Sequence, residues 1–163
     1  MKHLIIGGTG TLGKAIVNHL ITDWKQDQRN IYIYSRDETK QAKLRQKYPK
    51  INFQIGDICD KDDLIRASRI QASHVYHCAA SKHVDLCETH INKCVKINYL
   101  GTKHVYDLLG KNCNKFWFFT TDKAVAPINA YGYSKALAEK YLQTEGTNLV
   151  ICRWGNIITC PGL

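Results

Sequence analysis

Leu4-Ile5-Ile6-Gly7-Gly8-Thr9-Gly10-Thr11-Leu12-Gly13 sets an apolar run directly before a glycine-rich turn, and a helix-compatible stretch, Thr11 to Asp23, directly after it. Gly8, Gly10 and Gly13 satisfy GxGxxG, and Gly7, Gly10 and Gly13 satisfy GxxGxxG. Either spacing alone is weak. Between a strand and a helix it is a dinucleotide fingerprint. Glycines let the backbone approach a pyrophosphate, and the helix N-terminus faces it with unpaired N–H groups. Gly7, Thr9, Gly10, Thr11, Leu12 and Gly13 are therefore candidate cofactor contacts.

Outward from this turn, strand-like and helix-like segments alternate. Residues 31–34, 51–55, 74–78, 116–119 and 148–152 read as further strands. Residues 38–47, a short stretch capped by Asp60, residues 91–109 and 131–144 read as helices, with Gly146 as a stop for the last. Short apolar strands without polar alternation fit a parallel sheet buried on both faces. The expected fold is α/β, a doubly wound parallel sheet (Rossmann fold) with helices on both faces, as one domain over residues 1–163.

Composition excludes several classes. Lys and Arg number 23 against 14 Asp and Glu, a formal charge of +9, but the basic residues are scattered and form no run of five. Nucleic acid is not the expected partner; a positive cleft for a phosphorylated small molecule explains the charge as well. Seven cysteines, an odd number with no CxxC pair, read as free thiols in a reducing, cytoplasmic setting. No metal site is expected, since His77, Cys78, His83 and Cys87 fit no zinc spacing. The apolar run after Lys2 passes straight into glycines and does not read as a signal peptide. No stretch approaches the ~18 apolar residues of a membrane span, so no membrane partner is expected.

The end of the second strand carries Ser35-Arg36-Asp37. A lone acid there favours NAD, and a nearby Arg can hold the 2′-phosphate of NADP. Arg36 with the Ser35 hydroxyl favours NADP, with NAD as runner-up; Asp37 also suits a helix N-cap. Asp57, after the third strand, is placed to meet an adenine amino group, or to serve as a second N-cap.

The densest acid–base cluster is Thr120-Thr121-Asp122-Lys123, followed by Tyr131 and Lys135, at the carboxyl end of the fifth strand. Tyr131 and Lys135 are four apart and share a helical face. The pair Tyr99 and Lys103 has the same spacing but lies inside a long helix, where packing is the expected role. A phenol with pKa ~10 needs roughly 4 kcal/mol to be half ionised near neutrality. One cation about 4 Å away at effective dielectric ~20 supplies about that. Lys135, helped by an oxidised nicotinamide, is expected to be that cation, making Tyr131 a base toward a sugar hydroxyl.

Taken with Cys78-Ala79-Ala80, Asn98-x-x-Gly101-Thr102, Asp57, Thr121, Tyr131 and Lys135, the whole chain resembles an extended short-chain dehydrogenase/reductase. Ser35-Arg36-Asp37-Glu38, Ala80-Ser81-Lys82-His83-Val84, Leu86-Cys87-Glu88, Thr121-Asp122-Lys123-Ala124-Val125 and Arg153-x-Gly155-Asn156 resemble its polysaccharide-biosynthesis branch, which includes UDP-N-acetylglucosamine 4,6-dehydratases. The resemblance implies that Tyr131 and NADP⁺ oxidise C4, Lys123 removes the C5 proton, Asp122 helps the C6 hydroxyl leave as water, and hydride returns to C6. It adds Ile58, Ala79, Ala80, Lys82 and Asn98 as cofactor contacts, and Lys82, His83 and Asn156 as contacts to a nucleotide-sugar substrate. It also implies a homo-oligomer. Two departures stand out: Cys160-Pro161-Gly162-Leu163 replaces a Ser-Arg-Gly-Ser tail, and the carboxyl-terminal substrate lobe of the family is expected to be absent. A 4-epimerase of the same fold, or a non-catalytic NADP-binding module, are the competing readings; Lys123 speaks against the first, and residues 122, 123, 131 and 135 against the second.

Overall fold

A computed structural model of the protein describes residues 1–155. Six strands, β1 (His3–Ile6), β2 (Ile31–Ser35), β3 (Asn52–Ile55), β4 (His74–His77), β5 (Lys115–Thr121) and β6 (Leu149–Trp154), form one sheet in the order β3-β2-β1-β4-β5-β6. Every pairing is parallel. The order steps outward from β1 in both directions, so the point of reversal lies between β1 and β4. In open α/β sheets a ligand crevice opens at the carboxyl ends of the strands there.

The helices are α1 (Thr11–Thr22), α2 (Glu38–Lys47), α3 (Lys61–Ser68), α4 (Val84–Thr89), α5 (Ile91–Val95), α6 (Thr102–Val105) and α7 (Ala130–Glu145). Their starts follow from side-chain caps. Asp37 accepts from the Lys40 N–H, Asp60 from Asp62 and Asp63, and Asn129 from Gly132. Asp60, and not Asp57, caps α3. The expected long helix 91–109 is a single rod in which α5 and α6 alternate with π-helical turns, Lys96–Gly101 and Tyr106–Gly110. The short helix α4 carries too few residues for a periodic signal and was not expected. Gly146 does cap α7, but at φ −104°, so its role is spatial: a Cβ there would lie 2.5 Å from the Leu149 side chain and 2.7 Å from the Leu142 carbonyl.

Two apolar layers sandwich the sheet. On one face Leu4, Ile6, Val75, Phe116 and Phe118 meet Leu64, Ile97, Val105, Ala138 and Leu142 from the helices. On the other, Ile5, Ile31, Ile33 and Tyr76 meet Val17, Leu20 and Leu44. Among the described residues, no helix is long and apolar enough to cross a membrane.

Candidate active site

A cleft of 910 Å³ runs along the carboxyl ends of the strands. Its wall receives Gly7, Thr9, Gly10, Thr11, Leu12 and Gly13 from the turn after β1, and Ser35 and Arg36 from β2 and the residue beyond it. It also receives Asp57 and Ile58 after β3, Ala79, Ala80 and Lys82 after β4, Thr121 and Lys123 from the end of β5 and beyond, and Tyr131 and Lys135 from α7. Most of the residues singled out in the sequence thus share one cavity.

At the glycine turn, Gly7 has φ +78°, and a Cβ there would meet the Ala79 backbone nitrogen at 2.8 Å, so β1 and β4 approach as only glycine permits. A Cβ on Gly13 would lie 2.5 Å from the Gly8 Cα, whereas one on Gly10 would meet only the Gly7 carbonyl, at 3.3 Å. Gly10 is the N-cap of α1, contributes no side-chain cap, and no acid occupies the first turn. The free N–H groups and positive end of a twelve-residue helix therefore face the cleft without a protein anion, as a pyrophosphate requires. The cradle fits a dinucleotide.

At the adenosine end, the Ser35 oxygen already accepts from Gln41 Nε2 at 3.0 Å, and Ser35 is buried. The Arg36 guanidinium is exposed and touches Asp57 only at 3.5 Å. Lys40, in the first turn of α2, also lines the cleft and pairs with the N-cap Asp37 at 2.8 Å. Its i,i+3 spacing from the Asp37 cap was the signal that could have found it. Asp57 is held by the Cys59 N–H, 2.9 Å from Oδ1, while its own N–H donates to Asp63.

Three expected contacts stand elsewhere. Asn98, fully buried in the π-helical turn, does not reach the cleft: it accepts from the Ser81 N–H at 2.8 Å and donates to the Ser81 carbonyl at 3.0 Å and to Ser134 Oγ at 2.9 Å. Its amide is spent on holding the Ala79–Lys82 segment in place. His83 occupies the exposed N-cap of α4 and makes no side-chain cap. Asp122 lies just off the wall, its side chain 58% exposed. Asn156 lies outside the described residues.

At the chemical end, Thr121 Oγ1 donates to Asp122 Oδ1 at 2.9 Å, and Lys123 Nζ donates to the same oxygen at 3.1 Å. These two bonds, Lys123 first, hold the Asp122 carboxyl below its ordinary value. Lys135 is buried; its Nζ donates to the Phe119 carbonyl at 2.9 Å and lies 4.2 Å from the Phe118 ring centre. Burial pushes it down to about 8, against the opposing charge of Glu139. Burial likewise raises the Tyr131 hydroxyl, which a hydrogen bond with Thr121 only partly offsets. Burial thus sets the direction for Tyr131, opposite to the lowering expected from Lys135 and an oxidised nicotinamide together.

The second Tyr–Lys pair is structural. Tyr99 packs edge-on against Tyr141, and Lys103 Nζ donates to Asp107 at 2.7 Å and to the Tyr141 hydroxyl at 3.1 Å. Thr120 of the same cluster and Trp154, which was not singled out in the sequence, also line the cleft, and the Thr120 hydroxyl is buried without a hydrogen-bond partner among the described residues. Trp154 became visible only because β6 pairs with β5 as far as Thr121.

Comparison with known proteins places this geometry. A UDP-glucose 4-epimerase of Rickettsia felis is 36% identical over 170 residues, covering 98% of this chain and 50% of the relative. A UDP-N-acetylglucosamine 4,6-dehydratase (inverting) of Campylobacter jejuni is 35% identical over 169 residues, again covering 98% and 50%. The chain spans about half the length of these curated relatives. The solved structure of Thermus thermophilus UDP-glucose 4-epimerase in complex with NAD superposes with a TM-score of 0.81 at 26% identity, covering 94% of this chain and 54% of that one. The family model of the polysaccharide biosynthesis proteins matches residues 3–162, and the chain belongs to that family, a branch of the extended short-chain dehydrogenases/reductases.

Proposed function

We propose that the chain is the cofactor-binding and acid–base half of a nucleotide-sugar 4,6-dehydratase acting on UDP-N-acetylglucosamine with NADP. The observation that carries this reading is the Thr121–Asp122–Lys123 chain at the end of β5, joined by hydrogen bonds of 2.9 and 3.1 Å beside Tyr131 and Lys135. Tyr131 and Lys135 alone suffice for oxidising and re-reducing one carbon. A second base is needed only when a proton leaves the neighbouring carbon.

The nicotinamide, when bound, supplies the hydride acceptor and donor. Tyr131 takes the C4 hydroxyl proton, Lys123 takes the C5 proton made acidic by the C4 ketone, and Asp122 delivers a proton to the departing C6 hydroxyl. As an ion pair, Lys123 and Asp122 hold the proton on the wrong partner for both tasks. Transfer of that proton along their 3.1 Å bond yields a neutral amine and a carboxylic acid together. The Asp122 side chain is 58% exposed, so it is the substrate and cofactor, closing over the pair, that would favour the neutral form.

Arg36 and Lys40 line the cleft together and support NADP over NAD. The NAD in the solved Thermus relative keeps NAD as the alternative cofactor. Ile91, Ile128, Tyr133 and Leu137 expose apolar side chains on and beside α5 and α7, which supports a homo-oligomer. The described cysteines are all free, as expected in the cytoplasm.

The relatives named 4-epimerase favour a second reading, in which Lys123 is not a base. Incubation of UDP-N-acetylglucosamine with the protein and NADP⁺ in heavy water separates the two. Loss of one water with gain of one deuterium is the expected result. Unchanged mass with inversion at C4 establishes the epimerase, and unaltered substrate on cofactor-loaded protein excludes both activities for these 163 residues. Lys123→Ala is expected to keep cofactor binding while stopping water loss.

A further inference from the structure

The dehydratase reading leaves unused a buried carboxylate one helical turn beyond Lys135. Glu139 is 3% exposed. Its Oε2 accepts from Arg153 Nε at 3.0 Å and Nη2 at 2.6 Å, while Oε1 is buried with no hydrogen-bond partner among the described residues. Neighbouring buried positions of α7 are Ala138 and Leu142, so this layer of the helix is otherwise apolar. A half-satisfied buried carboxylate is unfavourable as packing, and a hydrophobic side chain would serve a core better. Its charge matters for what it faces.

What it faces is Lys135, four residues earlier on the same side of α7. The other ionisable groups around that ammonium are His77 of β4 and Cys78 just after it, and Cys94 on α5, with Tyr131 one turn earlier on α7 and on the same cleft wall. Burial keeps His77 and Cys78 neutral, pushing the first down to about 3 and the second far up. Glu139 is the carboxylate of the set, and the first of the charges that oppose the burial of Lys135. Arg153, from β6, is half exposed and clamps the carboxylate from the far side.

We propose that Glu139 is a positioning residue that keeps the Lys135 ammonium charged within the sheet–helix interface, with Arg153 holding the carboxylate and sharing its charge. The proposal rests on the reading of Lys135 as the partner of Tyr131, but its test needs no turnover. Without Glu139 the largest charge opposing the burial of Lys135 is gone, and the amine moves toward the neutral form where Tyr131 requires a cation.

The test is a titration of Lys135 in the 163-residue protein carrying ¹³Cε-labelled lysine, its resonance identified as the one lost in Lys135→Arg. Glu139→Gln keeps the shape and an oxygen for Arg153. It is expected to lower the Lys135 midpoint by roughly one to two pH units, the scale of losing one charge at i,i+4 helical spacing at effective dielectric ~20. A folded Glu139→Gln whose midpoint does not move overturns the proposal. If that variant does not fold, Arg153→Gln decides: a raised midpoint supports the proposal, and an unchanged or lowered one overturns it. In active protein the alkaline limb of kcat against pH moves down with the midpoint. A shifted midpoint in a protein without turnover counts against the dehydratase reading and not against Glu139.

Discussion

Lys135 Nζ donates a 2.9 Å hydrogen bond to the carbonyl oxygen of Phe119, so a buried ammonium is fastened to the strand that carries Thr121. The bond fixes where the charge sits, but burial still makes that charge costly. Lys135 is held at about 8 against an ordinary value near 10.5. A cation whose folded value is depressed contributes a penalty that is fully present below pH 8 and is relieved as pH rises toward 10.5. The penalty is about 3 kcal/mol, less about 1 kcal/mol for the hydrogen bond. Lys135→Met is therefore expected to stabilise the fold by about 1–2 kcal/mol at pH 7 while abolishing turnover. Urea unfolding at pH 7 and pH 10 checks this; equal stability gains at both pH values would contradict it.

The glycine turn separates folding from binding. Gly13→Ala brings a Cβ to 2.5 Å from backbone and must shift the turn, so lower melting temperature and lost cofactor binding are expected together. Gly10→Ala meets one atom at 3.3 Å and is expected to fold with little change in melting temperature. Its methyl group stands where a pyrophosphate would approach, so cofactor affinity should fall roughly tenfold or more. Thermal unfolding with and without NADP distinguishes the two variants.

Arg36 has little structural work to lose: it is exposed, and its contact with Asp57 is 3.5 Å long. Arg36→Ala is expected to weaken NADP by roughly 10- to 100-fold, the scale of a charge-assisted phosphate contact, and to leave NAD affinity nearly unchanged. Fluorescence titration with the two reduced cofactors reads this directly. Equal loss for both would assign Arg36 to the shared part of the molecule.

Asp107 anchors the structural Tyr–Lys pair. Burial alone would raise its carboxyl, but bonds from Lys103, Tyr141 and Lys111 outweigh burial and hold it at about 2. The stabilisation is present above pH 4 and lost as pH falls toward 2, with a magnitude of about 2 kcal/mol. Asp107→Asn is expected to cost about that at pH 7, with the difference from wild type closing near pH 2. A constant difference across that range would assign the loss to packing alone.

Much of this was legible from local chemistry. Leu4-Ile5-Ile6 followed by glycines specifies a strand and a tight turn within a few residues, and Asp37 and Asp60 mark helix starts that their hydrogen bonds reproduce. What escaped depends on depth and on pairing. The spacing of Tyr131 and Lys135 fixes a shared face but not how far that face is buried, so the raised Tyr131 hydroxyl could not be foreseen. Asn98 looked like a ligand contact because nothing in the sequence shows that Ser81 and Ser134 occupy its amide. Trp154 joined the cleft through ladder pairing, a relation between segments about 30 residues apart.

The strand order has a consequence for how the protein is made. β1 leaves the ribosome before the other five strands yet is walled on one side by residues 31–34 and on the other by residues 74–77. Until residues 74–77 have followed, β1 has an open flank. Gly7, moreover, lacks the Ala79 backbone against which it closes. The nascent chain therefore completes its centre late and from both sides, with the glycine turn assembled only when β4 docks, and β5 and β6 then extend a sheet whose middle is already in place.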